Sequence, residues 1–221
     1  MTDKIPLYFV PGLAASTKIF EYLQFDTDKY QVFTIDWIVP LSQEETIEDY
    51  AKRMCAFITH ENPVLLGVSF GGIMIQEMSK HLKTRALFLI SSVKTSQELP
   101  KRLKVIQKTK AYKLFPVKAF QNLDQFSKFF FGDFIQTRMK LYENYMTMKD
   151  EEYLTWAIHH VLNWKQKKQL ENITQIHGTD DYVFPIKHIE NPIKVKGGTH
   201  IMIINKAKTI SNIIDKKLSI V

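Results

Sequence analysis

Cysteine is nearly absent: Cys55 is the only one in 221 residues. One thiol cannot close an internal disulfide, which excludes a cystine-stapled scaffold and points to a reducing compartment, the cytoplasm. No apolar run approaches the roughly 18 residues of a membrane-spanning helix, so no membrane span is expected. The first residues, Met1 to Gly12, carry Asp3 and break at Pro11. They have neither the basic start nor the apolar core of a secretory signal. No spacing of His, Cys and Asp suits a metal, and no Walker or dinucleotide glycine pattern is present, so neither a metal nor another cofactor is expected. The net charge is +7 and the isoelectric point about 9.3. The basic residues are mostly Lys, with no run of about five like charges. No zinc-finger, RNP or helix-turn-helix signature accompanies it, which argues against nucleic acid as a partner. Nothing in the pattern specifies an oligomeric state.

What is present fits a folded domain. Hydrophobic residues make up 45% and charged residues 24%, near the globular average. A chain of this length can bury about 70% of the surface its unfolded form exposes, so it needs no staple. Short apolar runs bounded by Gly and Pro recur at Ile5–Val10, Tyr30–Trp37, Pro63–Val68, Arg85–Val93, Ile173–Gly178 and Pro192–Lys196. Such runs suit strands buried on both faces. Between them, residues 46–59, 70–82 and 202–218 place apolar side chains at steps of three and four, one face of a helix. Alternating strands and helices predict an α/β fold with a sheet of about six mostly parallel strands flanked by helices.

The alternation fails over residues 94–168, which read as helices near 98–113, 116–128, 132–147 and 150–165. This stretch holds fifteen Lys and Arg against seven Asp and Glu, so it accounts for the net basicity. It also carries Phe115, Phe120, Phe126, Phe129, Phe130, Phe131 and Phe134, which suggest an apolar pocket. The expected organisation is a core of residues 1–93 and 169–221 with a helical cap, 94–168, inserted over the carboxyl ends of the strands.

The sharpest chemical signal is Gly67-Val68-Ser69-Phe70-Gly71. An apolar strand runs into it and an amphipathic helix leaves it. A strand-to-helix turn this tight strains the serine and needs small flanking residues, and it exposes the hydroxyl at the strand's end. Serine is a weak nucleophile at neutral pH without a base in reach. Of the seven histidines, His200 follows the last strand in Lys196-Gly197-Gly198-Thr199-His200 and emerges at the same sheet edge. His60 and His81 sit near helix ends, and His159 and His160 in the insertion. His177 lies inside a strand, where it orients a loop or packs, and His188 sits in a loop. A carboxylate to hold the histidine should come from Gly178-Thr179-Asp180-Asp181, where two adjacent acids compete and alternation lets one of them face it. Cys55, inside a helix of core periodicity, reads as a small hydrophobe.

These residues, with Val10-Pro11-Gly12-Leu13 and the stretch from Ile176 to Pro185, resemble the α/β-hydrolase superfamily. The resemblance covers residues 5–92 and 170–218, and the order Ser, Asp, His agrees with it. It implies the α/β-hydrolase fold and a triad of Ser69, Asp181 and His200. Asp181 is picked over Asp180 because the family's acid stands three residues after the loop glycine and four before the proline. It also implies an oxyanion hole from the backbone N–H groups of Phe70 and Leu13, with Pro11 standing where the family has histidine. Serine at position 69 excludes the aspartate-nucleophile branches. The expected activity is hydrolysis of a small, partly apolar ester or thioester, whose leaving groups depart easily. Acyl transfer or a lyase reaction with the same triad, or ligand binding with little turnover, are the alternatives.

Overall fold

The apolar runs pair edge to edge into one parallel sheet. The computed structural model describes residues 4–110, 112 and 144–220. Its strands are β1 (Ile5–Val10), β2 (Tyr30–Thr34), β3 (Val64–Val68), β4 (Ala86–Ile90), β5 (Ile173–Gly178) and β6 (Ile193–Val195), in the order β2-β1-β3-β4-β5-β6. Every neighbouring pair is parallel. The central strands β3 and β4 are buried at every residue, whereas β2 at one edge is largely exposed and β6 at the other is mixed. The expectation of burial on both faces therefore holds in the middle of the sheet. It fails at the rims, where a strand has one neighbour and less helix above it.

Helices cover both faces. α1 (Ile47–Cys55) starts at Thr46, whose hydroxyl accepts the Asp49 N–H, and buries Ile47, Tyr50, Ala51 and Met54. α2 (Phe70–Met78) is buried along its whole length. α3 (Lys101–Thr109) begins after Pro100, which holds Leu99 extended and so starts the helix later than the periodicity predicts. α4 (Glu151–Asn163) is capped by the Asp150 carboxylate on the Tyr153 N–H. The expected last helix is two, α5 (Met202–Asn205) and α6 (Ala207–Leu218), because the chain leaves helical geometry at Lys206.

Residues 144–148, at the end of an expected helix, are not helical. They pair with the segment after β1 instead: the Ser16 N–H donates to the Tyr145 carbonyl at 2.7 Å, and the Thr147 N–H to the Ala14 carbonyl at 3.1 Å. The helix expected near 116–128, most of that near 132–147, and Phe115 to Phe134 lie outside the described residues.

Strand order places a site. The chain steps outward from β1 to β2, then returns to lay β3 on the other side of β1. At such a reversal the loops after the two strands diverge and leave a crevice at their carboxyl ends. Those loops carry Gly12-Leu13 and Ser69. The register, Val10 opposite Gly67, Val68 opposite Ile90 and Gly178 opposite Val195, brings the loops that follow β5 and β6 out at the same edge.

Candidate active site

Ser69 sits between β3 and α2 with φ 52° and ψ −116°. Backbone in this region costs a non-glycine residue about 1–3 kcal/mol and persists only when its surroundings hold it. Here the Ser69 N–H donates to the Ile90 carbonyl at 3.0 Å, and the Ser69 carbonyl accepts from Ser92 Oγ at 2.6 Å and the Gly72 N–H at 3.0 Å. The flanking glycines are required by contact. A Cβ at position 67 would lie 2.2 Å from the Gly71 carbonyl oxygen, and one at position 71 would lie 2.3 Å from the Val10 and Pro11 oxygens.

The loop after β6 delivers His200. The Gly198 carbonyl accepts the Asp180 N–H at 2.9 Å, and Thr179 Oγ1 accepts the Gly197 N–H at 2.8 Å, so this loop and the one after β5 are tied together. His200 Nε2 lies 2.9 Å from Ser69 Oγ, and its Nδ1 lies 2.9 Å from Asp181 Oδ2. The carboxylate can only accept, so the proton sits on Nδ1 and leaves the Nε2 lone pair facing the serine.

The two acids are placed differently. Asp181 is buried, its Oδ1 accepting the Val183 and Phe184 N–H groups at 2.8 and 2.9 Å. Asp180 is exposed and accepts a hydrogen bond from Thr179 Oγ1. Phe70 is the first residue of α2, where an N–H has no acceptor within its own helix. Leu13 is half-buried in the turn after β1.

Two residues near the acid extend what the sequence indicates. His177 is fully buried, and its Nε2 lies 2.8 Å from the Phe184 carbonyl oxygen and 3.3 Å from Asp181 Oδ2. Both are acceptors, so Nε2 carries the proton and the ring braces the acid loop, within the role expected of it. Arg102 on α3 donates to the Tyr182 and Val183 carbonyls, each at 2.9 Å. Sequence reasoning missed it, because a guanidinium reaching carbonyls some eighty residues away leaves no local pattern.

The remaining histidines lie elsewhere. His60 Nδ1 is 2.7 Å from the Tyr8 hydroxyl, and His159 Nδ1 is 3.0 Å from the Tyr112 hydroxyl. His160 donates to the Glu45 carbonyl at 3.1 Å and, with His159, lines a groove of about 660 Å³ whose walls include none of Ser69, Asp181 and His200. Cys55, at the end of α1, is half-buried, and burial pushes its thiol up to about 11, which keeps it protonated.

Two of these rings set a pH dependence. Burial lowers the His177 value, the Asp181 charge opposing it in part. Burial, helped by the charge of His159, lowers His160 to about 4. Both bind a proton less readily in the fold than in the unfolded chain, which protonates them at about 6.5. Below that pH the unfolded state binds more protons, so their contribution to stability is present above about pH 6.5 and is lost as pH falls. Urea denaturation is expected to show stability falling between about pH 6.5 and 5, by up to about 1.4 kcal/mol per pH unit for a fully buried ring. His160→Gln should flatten part of the slope. Equal stability at the two ends would contradict the assignment.

Among the described residues, no group of three His, Cys, Asp or Glu side chains is placed to hold a metal ion, and no helix is long and apolar enough to cross a membrane. No protein-family profile and no curated protein sequence matches the chain. Solved structures do. An epoxide hydrolase of the alpha/beta hydrolases superfamily, from metagenomes of hot environments, superposes with TM-score 0.68 at 11% identity, over 99% of this chain and 92% of that one. A thermophilic esterase from Thermogutta terrifontis gives 0.64 at 12%, over 97% and 89%. A lipase-esterase related protein from Clostridium acetobutylicum gives 0.66 at 18%, over 97% and 95%. The chain has the α/β-hydrolase fold. Its six-stranded parallel sheet and flanking helices are those expected from the sequence. At these identities the likeness speaks for the fold, and the chemistry has to be argued from the side chains.

Proposed function

We propose that this α/β-hydrolase fold is a serine hydrolase that cleaves a carboxylic ester or thioester through an acyl-enzyme on Ser69. The observation that carries the reading is the unbroken chain Asp181 Oδ2, His200 Nδ1, His200 Nε2, Ser69 Oγ, with 2.9 Å at each hydrogen bond. Ser69 Oγ attacks the carbonyl carbon as its proton passes to His200 Nε2. Asp181 stays ionised and stabilises the imidazolium. The N–H groups of Phe70 and Leu13 hold the oxyanion, each contributing about 10²–10³ in rate. Collapse of the tetrahedral intermediate breaks the bond to the leaving group, which takes the proton from His200. Water then adds to the acyl-enzyme with His200 as base, and the acid departs with Ser69 restored.

Residues 94–168 act as the cap in this reading. Three contacts support it: Trp156 of α4 packs edge-on to Phe70, Arg102 of α3 holds the acid loop, and residues 144–148 pair with the turn after β1. The reading keeps the partly apolar substrate expected from the phenylalanine-rich stretch of the sequence.

A series of p-nitrophenyl esters from acetate to octanoate tests this. Each buried methylene should raise kcat/KM roughly fourfold until the pocket is filled. No hydrolysis of any member above the Ser69→Ala background would refute the reading. Adding an alcohol acceptor distinguishes hydrolysis, which leaves the acid as product, from acyl transfer, which yields a new ester.

A further inference from the structure

We propose that Trp37 is the positioning residue of the oxyanion hole, one side chain that sets the peptide carrying the Leu13 N–H and packs on the residue carrying the Phe70 N–H. The inference rests on the acyl-enzyme reading and adds to it a residue that no sequence motif marks.

Trp37 lies in the loop after β2 and is 7% exposed. A buried indole N–H must find an acceptor, and here Nε1 donates to the Gly12 carbonyl at 2.8 Å. The Ala15 N–H donates to the same oxygen at 3.0 Å. Two donors on one carbonyl fix the plane of the peptide joining Gly12 to Leu13. That peptide is trans, and in a trans peptide the N–H points opposite to the C=O. Trp37 and Ala15 therefore hold the carbonyl on their side and turn the Leu13 N–H to the other. Pro11, just before this peptide, has neither an N–H nor a polar side chain with which to brace it.

The same indole reaches the second donor. Its ring stacks on Phe70 with centroids 5.0 Å apart and planes 18° apart. Phe70 is 1% exposed and is held from another side by Trp156 at 6.3 Å. Trp37 is itself anchored. Tyr153 and Tyr50 lie against it, at 5.6 and 6.5 Å. The Tyr50 hydroxyl donates to the Ile38 carbonyl at 2.6 Å and accepts the Ile38 N–H at 3.1 Å, pinning the adjacent residue. Oxyanion donors stabilise charge that develops during reaction, so they act only when aimed beforehand, and a displacement of about 1 Å is costly. A rigid ring bonded to one donor's peptide and stacked on the other donor's side chain fixes their relative placement.

The test is Trp37→Phe, which keeps a ring against Phe70 and removes the N–H. The expected result is a fall in kcat of about 10- to 100-fold with KM within about twofold. Affinity for an alkyl boronate, which forms a tetrahedral anion on the serine, should fall in step with kcat/KM. Incorporating 3-benzothienylalanine at position 37, the sulfur isostere of tryptophan without the N–H, should reproduce the loss with the ring's shape kept; it decides the matter if the Phe variant does not fold. Amide hydrogen exchange over residues 12–15 should quicken in either variant. A folded variant with kcat within about twofold of the native protein and unchanged exchange would overturn the inference. Native protein that neither turns over esters nor binds the boronate, yet shows the quickened exchange on substitution, would instead place the failure in the acyl-enzyme reading.

Discussion

Replacing Ser69 with alanine is expected to lower kcat toward the best p-nitrophenyl ester by about 10⁶, the scale seen when a triad nucleophile is removed. The loss should be almost wholly chemical. The bonds that hold the turn, from the Ser69 N–H to Ile90 and from Ser92 Oγ and the Gly72 N–H to the Ser69 carbonyl, are made by the backbone of residue 69 and survive the change. Alanine meets the same backbone strain at φ 52° as serine does. The melting temperature should therefore stay near that of the native protein while turnover disappears. A variant that keeps more than about a hundredth of the rate would mean that the attacking group is not this hydroxyl.

Asp181→Asn is expected to cost about 10⁴ in kcat, and Asp180→Asn to leave it nearly unchanged. The reason is the donor and acceptor count around the buried acid. Asp181 Oδ1 accepts two backbone N–H groups, while Oδ2 faces His200 Nδ1 and His177 Nε2. An asparagine that keeps its oxygen toward Val183 and Phe184 must turn its NH₂ toward His200. That NH₂ can only donate, so Nδ1 becomes the acceptor, the proton moves to Nε2, and the ring can no longer take one from Ser69. Flipping the amide sets NH₂ against two N–H donors instead. Asp180, at the surface with Thr179 as its side-chain partner, has no such role. Steady-state kinetics of both variants check this, and equal, small effects would place the acid elsewhere.

Some of this architecture is readable from residues alone. The central strands announce themselves because Val64–Val68 and Ala86–Ile90 are buried throughout and so are apolar throughout. Gly67 and Gly71 mark the turn because any side chain there would strike backbone. The structure brings Ser69, Asp181 and His200 into hydrogen-bond contact across 131 residues of chain. Each comes from a loop that follows a strand of the same parallel sheet, which is why strand order alone could group them. Other features have no local signature. Residues 144–148 are not helical because they find backbone partners in Ala14 and Ser16, a pairing that periodicity cannot anticipate. Trp37 sits at the end of an apolar run and reads as one more strand residue, yet its N–H serves a carbonyl 25 positions earlier. Arg102 likewise looks like one of many basic residues on a helix until its two carbonyl partners are seen.

The central claim is that the Ser69 hydroxyl is a nucleophile activated by His200. Treating the native protein with a fluorophosphonate and mapping the adduct by mass spectrometry tests it most directly. The account predicts a single adduct on the peptide carrying Ser69, absent from Ser69→Ala. An unmodified native protein, or an adduct that persists at another residue in Ser69→Ala, would contradict it.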